Sequence, residues 1–541
     1  MCVESGLGEV LAGNQGHPTG LRAHNRCTMV KNNRRNNKER LPTELVLFVA
    51  QSRGYVDVYF EPLVDAVSRS GASLEIALPS WLETEVKLPP QARVQYFEDF
   101  EDSERAAFAE AHRWNVLLNR KLSRSFDYRS RTVFPTWRVS LLKTAREIGL
   151  RHNKVRISIS GTLGARQRIP QAYLATRLYL GWLFASFVLI LGTVRAPIGR
   201  LLALLRLKSP GGRKKVEDLI AGSPRHSKLA GLIGELQPNL IVVPSLGHEI
   251  IPTDAIRASR RANLKSLLLV DNWDNLSSKS ILSTLPDFMG TWGPQSSTHA
   301  TEIQGMPEER VFSLGAPRFE SHFSVGSKRS KMPDTREKYI LYCGTSMYSR
   351  EDYILNYLDQ ILGRNGLAIP ILYRPHPQRF REPGRALKNE YGLVRIDSTS
   401  DSRFWGNLDP YRNPRGDSLS ELLSGSLFAV GGLTSVLLEA ELLNKRYVAL
   451  AHQELWNYSS PRVVFNTYDH YRGIENLPHL TLCKKISKLE GIVLEHISDP
   501  NIPGSRVASN RARSHFLTGF SEDSYRENLS QAISTILSIA K

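Results

Sequence analysis

Short runs of consecutive apolar residues, each followed by small or polar residues and then by apolar positions at helical spacing, recur along this chain. Glu44 to Gln51 (ELVLFVAQ) is a continuous apolar run of the parallel-strand type, and Val56 to Ser68 repeats apolar residues with a helical period up to Gly71. Ser73 to Leu78 predicts the next strand and Gln95 to Phe97 a third, after which helical stretches around Ala106 to Leu122 and Arg138 to Ile148 interrupt the pattern. Alternation resumes with strand Leu240 to Pro244, helix Pro252 to Ala262, and strands Ser266 to Val270, Phe288 to Trp292 and Val311 to Leu314. Ser324 to Thr335, rich in Ser, Lys, Arg and Pro, reads as a linker. A second unit follows with strand Tyr339 to Cys343, helix Glu351 to Leu362, strands Ile369 to Tyr373 and Leu393 to Ile396, helix Leu419 to Leu423, a strand-turn-helix at Ser426 to Ala440, and strand Tyr447 to Leu450. Strand-helix alternation of this kind predicts an α/β protein of two doubly wound parallel sheets facing a cleft. The expected division is a flexible tail 1–43, a first domain 44–325, a second domain 336–515, and a C-terminal helix within 516–541 that packs back on the first domain.

Charge changes this picture in one place. The net charge is +18, and between Arg113 and Lys215 there are 22 Lys and Arg against Asp127 and Glu147 alone, so 113–215 carries the basicity. Inside it Leu178 to Val194 (LYLGWLFASFVLILGTV) is almost uncharged, and Arg195, Arg200, Arg206 and Lys208 follow among leucines. The segment is expected to be a basic, partly apolar helical insertion that meets an anionic membrane surface. A bilayer span by Leu178 to Val194 is disfavoured, because it would put strands of one sheet on opposite sides of the membrane. Cys2, Cys27, Cys343 and Cys483 show no zinc or disulfide spacing, and the first residues lack a secretory signal; a cytoplasmic protein, peripheral on the inner membrane face, is expected. Met29 is a candidate alternative start. Gly6-x-Gly8 precedes no strand-helix unit and is set aside as a dinucleotide motif.

Ligands of open parallel sheets bind at the carboxyl ends of the strands, so the residues after each strand carry the candidate chemistry. In the second unit these are Gly344, Thr345 and Ser346, then Arg374-Pro375-His376-Pro377, then Gly431, Gly432, Thr434 and Ser435. The double glycine admits a close ligand, the following amides and hydroxyls suit a phosphate, and Glu439 on the same helix face suits sugar hydroxyls. Arg374 suits bidentate phosphate contact and His376 a diphosphate leaving group or acid role. In the first unit Arg53, Gly54, Tyr55 and Asp57 follow one strand, His248 and Glu249 another, and Asn272, Trp273, Asp274 and Arg318 later ones. Glu249, Asp57 and His248 are the candidate bases for an acceptor hydroxyl, and spacing does not choose among them. Asp271 and Asp274 fit Asx capping of a turn better than metal ligation, and no metal site or required cofactor is expected. No HExxH, Walker A or GxSxG motif occurs.

The succession Asp271–Lys279 (DNWDNLSSK), Thr291–Pro294 (TWGP), Val311–Phe319 (VFSLGAPRF), Arg374–Pro377 (RPHP) and Gly431–Ala440 (GGLTSVLLEA) resembles GT-B-fold proteins of bacterial surface-polysaccharide synthesis. The glycosyltransferase-like and CDP-glycerol glycerophosphotransferase-like families are the ones it is similar to, from about Glu44 onward and excluding the basic segment. The resemblance implies a nucleotide-activated donor in the second domain, at Arg374, His376, Thr434, Ser435 and Glu439, with a glycan or lipid-linked acceptor in the first. It also implies a catalytic or phosphate-contacting role for His376. A nonhydrolysing UDP-N-acetylglucosamine 2-epimerase shares this layout, but in it paired acids follow the double glycine almost at once, whereas here Glu439 is the first acid after Gly432. A noncatalytic nucleic-acid binder would use the basic segment alone, which lacks an aromatic-interleaved RNA-binding or zinc-finger pattern.

Overall fold

The computed structural model describes residues 44–132, 200–320, 338–345, 350–376, 389–397, 416–454, 460–499, 515–517 and 524–539. The expected tail 1–43, the helix Arg138 to Ile148, the apolar run Leu178 to Val194 and Ser346 lie outside them.

Seven parallel strands form the first sheet: β1 Leu45–Val49, β2 Ser73–Pro79, β3 Arg93–Phe97, β4 Leu240–Ser245, β5 Lys265–Val270, β6 Phe288–Thr291 and β7 Val311–Ser313, in the spatial order β3-β2-β1-β4-β5-β6-β7. Six more form the second: β8 Ile340–Cys343, β9 Ile371–Arg374, β10 Val394–Ile396, β11 Phe428–Gly431, β12 Tyr447–Leu450 and β13 Leu480–Cys483, in the order β10-β9-β8-β11-β12-β13. The central strands are apolar on both faces because helices cover both sides, and β1, β4, β8 and β11 are almost wholly buried. Both orders run outward from a first strand and then reverse, so each sheet has one topological switch point, β1/β4 in the first and β8/β11 in the second.

The helix Arg53–Arg69 starts where Ser52 accepts a bond from Tyr55 N, and its buried side, Tyr55, Val56, Tyr59, Leu63 and Val67, faces the first sheet. The C-terminal helix Ser524–Ile539 packs against it, adding Tyr525, Leu529, Ile533 and Ile536 to the same core. The helix expected around Ala106 to Leu122 runs Asp102–Leu118, because Glu104 turns back to accept from Glu101 N at 3.0 Å and fixes an earlier start. The helix expected at Leu419 to Leu423 extends to Gly416–Gly425. Among the described residues no helix is long and apolar enough to cross a membrane.

Where a cleft between the sheets is expected, the loops after β5, β6 and β7 pack against the second domain. Trp273, Trp292, Ala316 and Phe319, from the loops after β5, β6 and β7, share one buried cluster with Leu341, Leu433, Leu437 and Tyr471 of the second domain. The loops on that side of the first sheet are therefore part of an apolar seam. Apolar residues after a strand read equally well as cleft lining or as domain contact, and here packing decides for contact.

Candidate active site

At the first switch point the chain after β4 turns back on itself. Gly247, at φ +84, occupies a position where a Cβ would collide with Ser280 Oγ, so only glycine fits. The turn brings Glu249, at the start of helix Ile250–Arg261, back to the strand end, where it accepts from Ser245 Oγ at 3.0 Å and Leu246 N at 2.8 Å. From across the switch point Tyr55 OH donates to both carboxylate oxygens, at 2.8 and 3.0 Å, and Gln51 Nε2 donates as well. Burial pushes Glu249 up to about 7, against the pull of these donors. The result is a carboxyl group poised to exchange a proton near neutrality. Burial and the adjacent Glu249 raise the Tyr55 phenol well above its ordinary value.

The other two candidate bases are placed differently. His248 lies beside His112 of helix Asp102–Leu118, ring centroids 5.9 Å apart, and burial, with Lys279 and Arg129 nearby, lowers it to about 4. Asp57 is exposed on the helix surface and pairs with Arg53 at 3.5 Å, one turn back. Neither joins the Glu249 cluster, whose carboxylate contacts are Gln51, Tyr55, Ser245 and Leu246; Gly54 lies in the turn that presents Tyr55.

The remaining acceptor-side candidates hold the scaffold. Arg318 donates to Asp271 O at 2.6 Å and Asp271 Oδ2 at 3.2 Å, with its guanidinium 5.1 Å from the Trp292 ring centre, and Tyr59 OH donates to Asp271 Oδ1 at 3.3 Å. Asn272 Oδ1 accepts from Trp273 N at 3.0 Å. Trp273 itself is buried against His470, Tyr471 and Phe516, with ring centroids 4.9, 5.5 and 5.7 Å away. Asp274 pairs with Lys279 at 3.2 Å across one π-helical turn; burial works against its charge, yet Lys279 and His470 hold it below the usual carboxylate range. Trp273 and Asp274 thus meet His470 of the second domain, while Arg318 braces Asp271 and Trp292 within the first.

At the second switch point Gly344, Thr345, Gly431 and Gly432 come together. Gly344 N donates to Arg374 O at 2.8 Å, and a Cβ on Gly344 would lie 2.6 Å from His376 N, so the Arg374-Pro375-His376 backbone rests directly on it. A Cβ on Gly431 would lie 2.5 Å from both Cys343 O and Tyr447 OH, and one on Gly432 would lie 2.8 Å from Thr345 Cγ2. The close approach that the double glycine permits is therefore filled by the protein's own β8 edge and Tyr447. Two buried tyrosines hold the turn: Tyr447 OH donates to Gly432 O at 2.8 Å and Tyr471 OH to Leu433 O at 2.7 Å. The helix that follows is only Val436–Leu442, with Ser435 at its N-cap, and Thr434 Oγ1 accepts from Val436 N at 3.3 Å. Ser435 stands half-buried at the helix start and Glu439 is buried one turn on.

Arg374 Nη1 donates to Asp397 Oδ2 at 3.2 Å, the two side chains 12% and 4% exposed, so a carboxylate occupies part of the guanidinium expected to face phosphate. His376 is half-buried at the strand edge beside Gly344. Several polar groups here escaped the sequence reading. Glu351 accepts from Thr345 N at 2.7 Å and from Tyr373 OH at 2.7 Å, tying β8, β9 and the helix Glu351–Arg364 together under the switch point. Its place in an acidic first helical turn directly after a strand loop was the available signal. Gln51 and Asp397, each just past a strand, had the same positional signal.

No protein-family profile matches this chain, and no curated protein does. Solved structures similar to it include a UDP-N-acetylglucosamine 2-epimerase from Rickettsia bellii, 11% identical with a TM-score of 0.43, over 92% of this chain and 96% of that one. MurG of Acinetobacter baumannii is 9% identical with a TM-score of 0.38, over 92% and 99%. The wall teichoic acid polymerase TagF, as its H444N variant soaked with CDPG, is 12% identical with a TM-score of 0.35, over 56% and 72%. Likenesses of this degree assign no function.

Proposed function

We propose that the chain is a transferase that moves a sugar, or a polyol phosphate, from a nucleotide-activated donor to a glycan or lipid-linked acceptor in bacterial surface-polysaccharide synthesis. One observation carries the reading: both sheets present polar groups at their switch points, the place where open α/β sheets bind ligands. In this reading the donor lies over Thr345, His376, Thr434, Ser435 and Glu439, with Gly344, Gly431 and Gly432 shaping the floor. The acceptor hydroxyl lies at Glu249. The acceptor oxygen attacks the sugar carbon, or the phosphorus of the polyol phosphate; the bond from that atom to the nucleotide phosphate oxygen breaks, and the nucleotide leaves with the electron pair. Glu249, with its pKa near 7, takes the hydroxyl proton, and His376 hydrogen-bonds the departing phosphate. The basic stretch 113–215 brings the protein to the anionic inner face of the cytoplasmic membrane, where a lipid-linked acceptor resides.

The test is a thermal-shift screen of UDP-, GDP-, CDP- and dTDP-linked donors on the wild type and on Ser435→Ala, Glu439→Ala and Glu249→Gln. One nucleotide class is expected to raise the wild-type melting temperature, the first two variants to lose that rise, and Glu249→Gln to keep it while losing transfer. If no nucleotide stabilises the wild type, the donor reading fails.

A further inference from the structure

Residues 200–208 form a helix with apolar residues on both sides. Ala203 is buried, at 6% exposed, and Leu204 and Leu207 are half-buried, while Leu201, Leu202 and Leu205 are 55%, 60% and 50% exposed. A helix that merely covers a core shows charged or polar residues on its solvent face. Here the leucines stand among Arg200, Arg206, Lys208, Arg213, Lys214 and Lys215, with no acidic residue between Arg200 and Val216. Leucines beside cations match an anionic bilayer surface on both counts, the leucines entering the acyl boundary and the cations meeting headgroup phosphates. A nucleic acid would engage the cations and leave the leucines in water.

This face is joined to the domain seam by a continuous series of contacts. Arg200 Nη2 donates to Asp127 Oδ1 at 3.1 Å and Ser130 Oγ at 3.3 Å, both on helix Arg124–Thr132, and the Arg206 guanidinium sits 5.3 Å from the Trp114 ring centre. Arg129 of that helix donates to Ser278 O at 2.6 Å and to Lys279 O. Just before it, Ser123 Oγ donates to Asp469 Oδ2 at 2.6 Å, and Asp469 N donates to Ser125 Oγ at 2.9 Å. Asp469 and His470 belong to the second domain, and His470 Nδ1 lies 2.7 Å from Ser278 Oγ.

We propose that the outward face of residues 200–208 docks on an anionic bilayer and that the Arg200–Asp127 joint carries docking to the second-domain turn Asp469–Tyr471. The proposal rests on the membrane-surface reading above and adds which residues dock and what docking controls. Headgroup phosphates compete with Asp127 for Arg200, and helix Arg124–Thr132, once relieved of that tether, changes its hold on Asp469 and so the set of the donor domain.

The full chain is sedimented with phosphatidylglycerol/phosphatidylcholine vesicles and with phosphatidylcholine vesicles alone, with duplex DNA as competitor, and amide exchange is followed at residues 461–472. The wild type is expected to bind the anionic vesicles at least tenfold more tightly than the neutral ones, to resist displacement by DNA, and to change exchange at 461–472. Leu201→Ser/Leu202→Ser/Leu205→Ser loses vesicle binding at an unchanged melting temperature, with Arg206→Gln/Lys208→Gln as the second variant should the first misfold. Asp127→Ala binds vesicles as the wild type does but no longer changes exchange at 461–472. No binding by the wild type overturns the membrane reading itself, and displacement by DNA replaces it with a nucleic-acid surface. Binding that survives both surface variants overturns only the choice of face; binding with no change at 461–472 overturns the coupling.

Discussion

At the scale of single residues, Glu249 is the group whose surroundings depart most from those of a surface carboxylate. Its folded-state value of about 7 lies above the ordinary 4.5, so between those values the folded form keeps a proton that the unfolded chain releases. Folding stability contributed by this group is therefore present at low pH and lost as pH rises toward 7. Glu249→Gln cannot ionise, so its stability relative to the wild type is expected to improve between about pH 5 and pH 8, by roughly 2 kcal/mol, while the proposed transfer falls on the order of 100-fold. Melting curves across that range check the first effect. Arg374 tests the opposite kind of group, one whose charge is already answered by a carboxylate. Asp397→Ala removes that carboxylate from a guanidinium only 12% exposed and is expected to lower stability by about 3 kcal/mol. It is expected to bring no gain in nucleotide affinity, whereas an Arg374 held in reserve for phosphate would bind nucleotide more tightly once freed.

At the scale of elements, the central strands were legible because a parallel strand covered on both faces must be continuously apolar, and Leu45–Val49 and Phe428–Gly431 fall inside the runs that announce them; the half-buried edge strand Leu480–Cys483 was not. The turn at Gly431-Gly432 was legible as a turn; the reason for its glycines was not. That reason lies in Cys343, Thr345 and Tyr447, which reach the turn from β8, the loop after it, and β12. Gly431→Ala meets a backbone carbonyl and a buried hydroxyl that cannot move aside, while Gly432→Ala meets only the Thr345 side chain. Thermal unfolding is expected to show Gly431→Ala as the more destabilised, by about 2–3 kcal/mol, and Gly432→Ala by about half that. A double glycine kept open only for a ligand would give the reverse result, with both variants stable and nucleotide binding lost. Glu249 was in view among three candidate bases, and only the turn at Gly247, which folds it back onto β4, separates it from His248 and Asp57.

At the scale of the whole molecule, the seam joins partners more than 300 residues apart, such as Ser123 and Asp469, and no local pattern announces such contacts. Its centre is His470, buried against Trp273 and bonded to Ser278, with Asp274, Lys279, His299 and Asp469 around it. Burial lowers His470 to about 3 even with two carboxylates nearby, and lowers His248 and His299 to about 4. A histidine whose folded value lies below its unfolded 6.5 binds its proton better in the unfolded chain, so the stability it contributes is present above 6.5 and is lost as pH falls toward the folded value. Each such ring costs about 2 kcal/mol by about pH 5; Glu249 gains about as much as one ring loses over the same fall, and the two seam rings, His470 and His299, still cost a sizeable part of the margin of an ordinary domain. The protein is therefore expected to lose the seam sharply on mild acidification, with the melting temperature falling between pH 7 and pH 5 and the radius of gyration from small-angle scattering rising as the domains part. His470→Asn keeps a polar partner for Ser278 without a titrating ring, so it is expected to be less stable at pH 7.5 yet to lose less between pH 7 and pH 5. If His470→Asn shows the full wild-type loss over that interval, the acid sensitivity arises elsewhere than at the seam.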